Sequence, residues 1–122
     1  AHKVALAMFT SNHQTCHTHV LHRATDWLNH LEFSPTDANL LMFCHEGPWH
    51  KVDRIWTIRM DNREITQIHI RTMAGEIFGH EFWSHDGKTI FYDLQLPRAG
   101  WGWVRGIGPG GAACSFGPAY RP

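Results

Sequence analysis

Along the middle of the chain, apolar and polar residues alternate in short runs separated by turn-forming residues, and the same run occurs twice. HLEFSPTDANLLMF (His30–Phe43) aligns without gaps on HEFWSHDGKTIFYD (His80–Asp93), an offset of 50 residues. His30 matches His80, Phe33 matches Trp83, Ser34 matches Ser84 and Leu40 matches Ile90. Each copy reads as a strand, a turn (SPTD, SHDG) and a second strand. The Asp86-Gly87 pair is the stronger turn signal, because glycine reaches positive φ at no steric cost. Between the copies, RIWTIRM (Arg54–Met60) is β-branched and aromatic, and EITQIHI (Glu64–Ile70) alternates around Ile68 and Ile70. The polar DNR joins them as a hairpin turn.

Four strands per repeat at a period of 50 predict an all-β fold, a β-propeller fragment of about one and a half four-stranded antiparallel blades. A blade is apolar on both faces and cannot bury itself alone. RIWTIRM illustrates this: Ile55 and Thr57 point one way, Trp56 and Ile58 the other, so both faces need cover. Trp27, Trp49, Trp56 and Trp83 read most simply as inter-blade core, with Trp49 also placed to stack on a sugar. One and a half blades close no ring, so the remaining blades are expected in a longer parent chain. Residues 1–19 read as an irregular N-terminal segment, 20–97 as the partial propeller and 98–122 as an irregular Gly/Pro-rich tail. A truncated or frame-shifted end would account for that tail.

Charge narrows the partners. The 122 residues carry 11 basic and 11 acidic side chains, so nothing in the balance argues for nucleic acid. No segment has the roughly 18 apolar residues needed to cross a bilayer, and no clean secretory leader opens the chain. Three widely spaced cysteines (Cys16, Cys44 and Cys114) make no disulfide framework. These features together predict a cytoplasmic protein. Eleven histidines, by contrast, hint at chemistry near neutral pH.

Three places hold candidate chemistry. The inner strand of a blade lines the channel, so His30 and His80 should open towards it; a hydrogen-bonded structural histidine is the competing reading for each. FCHEGPWHKVDRIW (Phe43–Trp56) gathers His45, Glu46, His50, Asp53 and Arg54 in a Gly-Pro-broken connection. Loops of that kind carry sites, but Glu46 and Arg54 could equally form a structural ion pair. HQTCHTH (His13–His19) clusters Cys16, His17 and His19 but lacks the second ligand pair of a zinc site.

ATDWLNHLEFSPTD, LLMFCHEGPWHKVDRIWTI and GHEFWSHDGKTIFYDLQ together resemble the oligogalacturonate lyase family over roughly residues 20–97. The resemblance implies a seven-bladed β-propeller enzyme of pectin breakdown. It would cleave short galacturonate oligomers by β-elimination and leave a 4,5-unsaturated sugar. It further implies that His80, the histidine of HEFW, is the base removing the C5 proton, and that Arg54 binds substrate carboxylate. His45, Glu46 and His30 are supporting candidates for orienting the base or binding sugar hydroxyls. Manganese in the family is implied to be held by residues of later blades, so no metal ligand is assigned in this chain. Two readings from other classes remain: a non-catalytic propeller module for binding or scaffolding, and a small metal-binding domain built on residues 13–19.

Overall fold

The computed structural model describes residues 5–97 together with the backbone of two later strands, Gly102–Ile107 and Ala113–Pro118. Ten strands and no helix are present among the described residues: β1 (Leu6–Ser11), β2 (Thr18–Ala24), β3 (Trp27–Phe33), β4 (Leu40–Glu46), β5 (Ile55–Arg59), β6 (Ile65–Gln67), β7 (Ile77–Trp83), β8 (Ile90–Gln95), β9 (Gly102–Ile107) and β10 (Ala113–Pro118). They form a β1–β2 hairpin and two four-stranded antiparallel sheets, β3–β4–β5–β6 and β7–β8–β9–β10. Each four-stranded sheet follows chain order, as in a propeller blade.

The repeat of 50 residues is therefore structural. Strand β3 displaced by 50 is β7 residue for residue, and β4 maps onto β8. In both turns the serine N–H donates back to the returning chain, Ser34 to Leu40 C=O (2.9 Å) and Ser84 to Thr89 C=O, one residue earlier in the repeat (2.8 Å). Gly87 takes φ of 67°, the left-handed geometry expected of the Asp-Gly pair.

Three expectations need correction. The N-terminal segment is not irregular, because Leu6–Ser11 is a strand paired with β2. Nor is the tail irregular throughout: β9 and β10 complete the second sheet, so two full blades and a hairpin stand where one and a half blades were expected. Glycine in GWVRGI and in ACSFGP hides the strand signal, since it contributes no side chain to the alternation. Finally, EITQIHI gives only the three-residue β6, and Ile70 lies exposed beyond its end.

Alternation along β4 and β5 builds two cores. Leu40, Met42 and Ile55 pack with Ile68, Phe78, Trp83, Ile90, Tyr92 and Leu94 between the two sheets. Leu41, Phe43 and Ile58 face the other way, against Met8 and Leu21 of the hairpin, with Trp56 beside them. The split of Ile55 from Trp56 and Ile58 is the one the strand period predicts. Trp83 adds a hydrogen bond across the seam, from Nε1 to the Glu32 carbonyl (3.2 Å). Trp27 does not join a core; it is 69% exposed. No helix among the described residues is long and apolar enough to cross a membrane.

Candidate active site

His30 and His80 occupy the same point of successive blades and share an uncommon backbone. Their φ angles are 49° and 54°, and each sits where strand pairing slips, between Asn29 and Glu32 and between Gly79 and Phe82. A β-bulge with a left-handed residue turns that side chain out of the ladder. Non-glycine residues at such angles carry roughly 1–3 kcal/mol of strain, which is characteristic of functional sites. Both imidazoles consequently stand out from the sheet, with side chains 51% and 69% exposed.

His80 has two neighbours. Its Nδ1 lies 2.9 Å from Asp93 Oδ2, and the edge of the Trp49 ring approaches at 5.5 Å between centroids. Trp49 reaches this place because residue 79 is glycine: a Cβ there would come within 3.0 Å of the indole. The indole's face in turn covers Arg54, whose guanidinium carbon is 4.1 Å from the ring centroid. Cation and aromatic face attract, more strongly when desolvated.

Behind Trp49, Arg54 is buried and gives both terminal nitrogens to Glu46. Nη1 donates to Oε2 at 2.7 Å and Nη2 to Oε1 at 3.0 Å. Asn29 Nδ2 adds a third bond to Glu46 Oε1 (3.0 Å), and His30 Nε2 stands 3.9 Å from the same oxygen. Hydrogen bonding from Arg54, assisted by Asn29, draws the Glu46 carboxyl down to about 2 against the opposing effect of burial. Buried Glu81 lies near this arginine and the Cys44 thiol, which burial, reinforced by Glu81, pushes up to about 12. Cys44 is therefore a packed thiol rather than a nucleophile.

The loop that delivers these groups is held on both sides. Lys51 N–H and Val52 N–H both donate to the Pro48 carbonyl, and His45 N–H donates to Arg54 C=O. From outside, Arg71 Nη2 donates to the carbonyls of Val52 (2.7 Å) and Trp49 (3.2 Å). Arg71 is anchored in turn on the Glu76 carbonyl. Glu76 belongs to a buried chain in which His69 bridges Glu76 Oε1 (2.9 Å) and the Tyr92 hydroxyl (2.8 Å).

The structure thus joins His80, Trp49, Arg54, Glu46 and His30 in one continuous set of contacts. His45 is left out. Alternation on β4 turns it away from Glu46, towards His22, Phe43, Trp56 and Asp26, and burial lowers its imidazole from the usual range. For Arg54, the ion pair with Glu46 left open by the sequence is the contact formed. Asp93 was not foreseen. The hairpin register sets it opposite Gly79 rather than His80, and only the bulge swings the imidazole onto it.

Among the described residues, no three metal-ligating side chains converge. That holds for residues 13–19 as well, where His13, His17 and His19 line a separate open cleft of about 900 Å³ with the β3–β4 turn. A divalent manganese ion prefers about six oxygen or nitrogen donors, so these residues do not by themselves fit one.

The chain matches the oligogalacturonate lyase family model over residues 3–106. It is 37% identical over 84 residues to an oligogalacturonide lyase of Pectobacterium atrosepticum, covering 68% of this chain and 21% of that protein. It is 37% identical over 75 residues to an oligogalacturonate lyase of Dickeya dadantii, covering 61% and 19%. The chain therefore spans about a fifth of the length of these curated relatives. Among solved structures, it resembles an oligogalacturonate lyase in complex with manganese (TM-score 0.83, 26% identity, 91% of this chain and 30% of that one). It also resembles an oligogalacturonate lyase from Vibrio parahaemolyticus (TM-score 0.85, 27% identity, 95% and 31%).

Proposed function

Because this chain belongs to the oligogalacturonate lyase family, we propose that it is part of an enzyme that cleaves oligogalacturonides by β-elimination, with His80 as the base. The observation that carries the reading is the bulged, left-handed His80. Its imidazole stands free of the sheet, with Nδ1 taken by Asp93 and Nε2 left to meet substrate. In the elimination, Nε2 accepts the proton from C5 of the uronate. The C5–H electrons become the C4=C5 double bond as the C4–O bond breaks, and the departing oxygen takes a proton.

Removing a proton next to a carboxylate accumulates negative charge, so a fixed cation nearby is needed. Arg54 is the guanidinium on this side of the site, and in the structure the Glu46 carboxylate neutralises it. With both terminal nitrogens on Glu46, it acts from behind Trp49, and a direct grip on substrate carboxylate requires Glu46 to release it. His30 and Glu46, on the neighbouring blade, are placed to receive sugar hydroxyls. His45 is assigned no contact, since it faces the hairpin. Manganese, which the solved relative contains, would be held by residues of later blades. A cytoplasmic location is part of the same proposal, suggested by three widely spaced cysteines that make no disulfide framework; fractionation of the native cell tests it.

The function is tested in the full-length protein by following the ultraviolet-absorbing enoate. His80→Ala is expected to reduce turnover by at least 100-fold, in the range for loss of a general base, with bound manganese unchanged. Retained activity would remove His80 from the chemistry, whereas loss of manganese together with activity would make it a ligand instead of a base. Activity absent from the unaltered full-length protein would favour the binding-module reading.

A further inference from the structure

A neutral imidazole carries its one proton on either ring nitrogen, and only the unprotonated nitrogen can act as a base. We propose that Asp93 is a positioning residue that keeps His80 as the Nδ1–H tautomer, so that Nε2 is the atom presented to the ligand. This rests on the reading of His80 given above, but it concerns a property of the ring that can be measured without turnover.

Three observations support it. The Nδ1 to Oδ2 distance of 2.9 Å is a hydrogen bond, and a carboxylate accepts without donating, so the proton in that bond sits on Nδ1. Asp93 projects from β8 on the face opposite buried Tyr92 and Leu94, and its register partner is Gly79. Without the bulge, the imidazole would follow the ladder away from that carboxylate; with φ of 54° it reaches it. The Trp49 edge, seated in the notch left by Gly79, closes another side of the ring and limits its rotation. Free neutral imidazole in a peptide has no such constraint and distributes between tautomers. A ring held by a second group on its far nitrogen is the usual device for presenting the other nitrogen in one orientation.

The expected signature is spectroscopic. With 15N-labelled histidine in the full-length protein, neutral His80 should show a protonated-type shift at Nδ1 and an unprotonated-type shift at Nε2. Asp93→Ala should move both shifts towards the average of an unconstrained ring. Asp93→Asn, which can donate as well as accept, should do so in part, and Asp93→Glu should restore much of the wild-type pattern. In turnover, Asp93→Ala should lower kcat by roughly 10- to 100-fold, the usual cost of losing an orienting partner, with KM changed less than about threefold.

A wild-type ring found as the Nε2–H tautomer would overturn the proposal, as would Asp93→Ala with unaltered shifts and unaltered kcat. The wild-type spectrum decides the first point even if a variant fails to fold. The two readings also separate. If His80→Ala stays active while Asp93→Ala alters the shifts, the base assignment fails and the positioning stands. If His80→Ala is inactive and Asp93→Ala changes neither shifts nor kcat, the reverse holds.

Discussion

Glu46 and Arg54 show how burial changes the meaning of a residue. An arginine beside an aromatic in a lyase-like loop reads as a hand for substrate carboxylate, yet this one is 2% exposed and paired. Removing one partner of such a pair leaves an uncompensated buried charge, at a cost of about 3–5 kcal/mol. Glu46→Ala should therefore lower the denaturant midpoint by far more than a surface substitution would. The acid dependence follows from the carboxyl's fall to about 2. Its folded value lies below that of the unfolded chain, near 4.5, so the pair's contribution is complete above about pH 4.5 and is lost as pH falls towards 2. Stability curves of the wild type and Glu46→Gln should converge across that window; a constant gap would disprove the coupling. The candidates His80, His30, Glu46 and Arg54 were all legible as residue types. The Glu46–Arg54 pair was legible only as one of two readings, and the links to His80 and His30 were not, because they depend on Trp49 and on the strand bulges.

At the scale of the element, the hairpins carry the signal. Two copies of strand, turn and strand could be aligned by eye because the strand period and the turn chemistry agree. Gly87 marks how tightly the second turn is set: its φ of 67° penalises any Cβ, and one would also meet Thr36 Oγ1 and Ser34 Oγ of the neighbouring blade. Gly87→Ala should cost about 1–2 kcal/mol, read as a lowered melting temperature. Gly79→Ala should act differently. Its Cβ would press on Trp49 and displace the indole from His80 and Arg54, so the Trp49 fluorescence should respond more than the stability. An unchanged tryptophan environment would remove Trp49 from the support of His80. The bulges themselves could not be read, since a one-residue slip leaves the alternation on either side intact. Strands β1, β9 and β10 were missed for another reason: single glycines or short polar flanks weaken a six-residue pattern below recognition, and only pairing with a neighbour makes them strands.

For the molecule as a whole, stability comes from stacking. Leu40, Met42 and Ile55 are covered because Phe78, Ile90 and Tyr92 of the next sheet lie against them. The outer faces of this stack are still apolar: Trp27, Leu31 and Phe33 on β3 are exposed, and Phe82, stacked on Phe91 at 5.5 Å, is 51% exposed on β7. In a complete propeller, further blades would cover such faces. The isolated 122-residue chain is accordingly expected to give little or no enoate from oligogalacturonides, while the full-length protein is expected to do so. Robust turnover by the isolated chain would show that these blades hold a complete site.

The sequence by itself determined the strand type, the repeat of 50 residues, the turn at Asp86-Gly87 and the two-faced burial of β5, because each depends on local geometry with a period of two. It also carried the family likeness through HEFW, CHEGP and DRIW. Only the tertiary structure decided that Arg54 serves Glu46, that His45 faces away and that Asp93 meets His80. Those outcomes depend on which blade covers which face and on a slipped register, and long-range packing sets both without leaving a periodic trace along the chain.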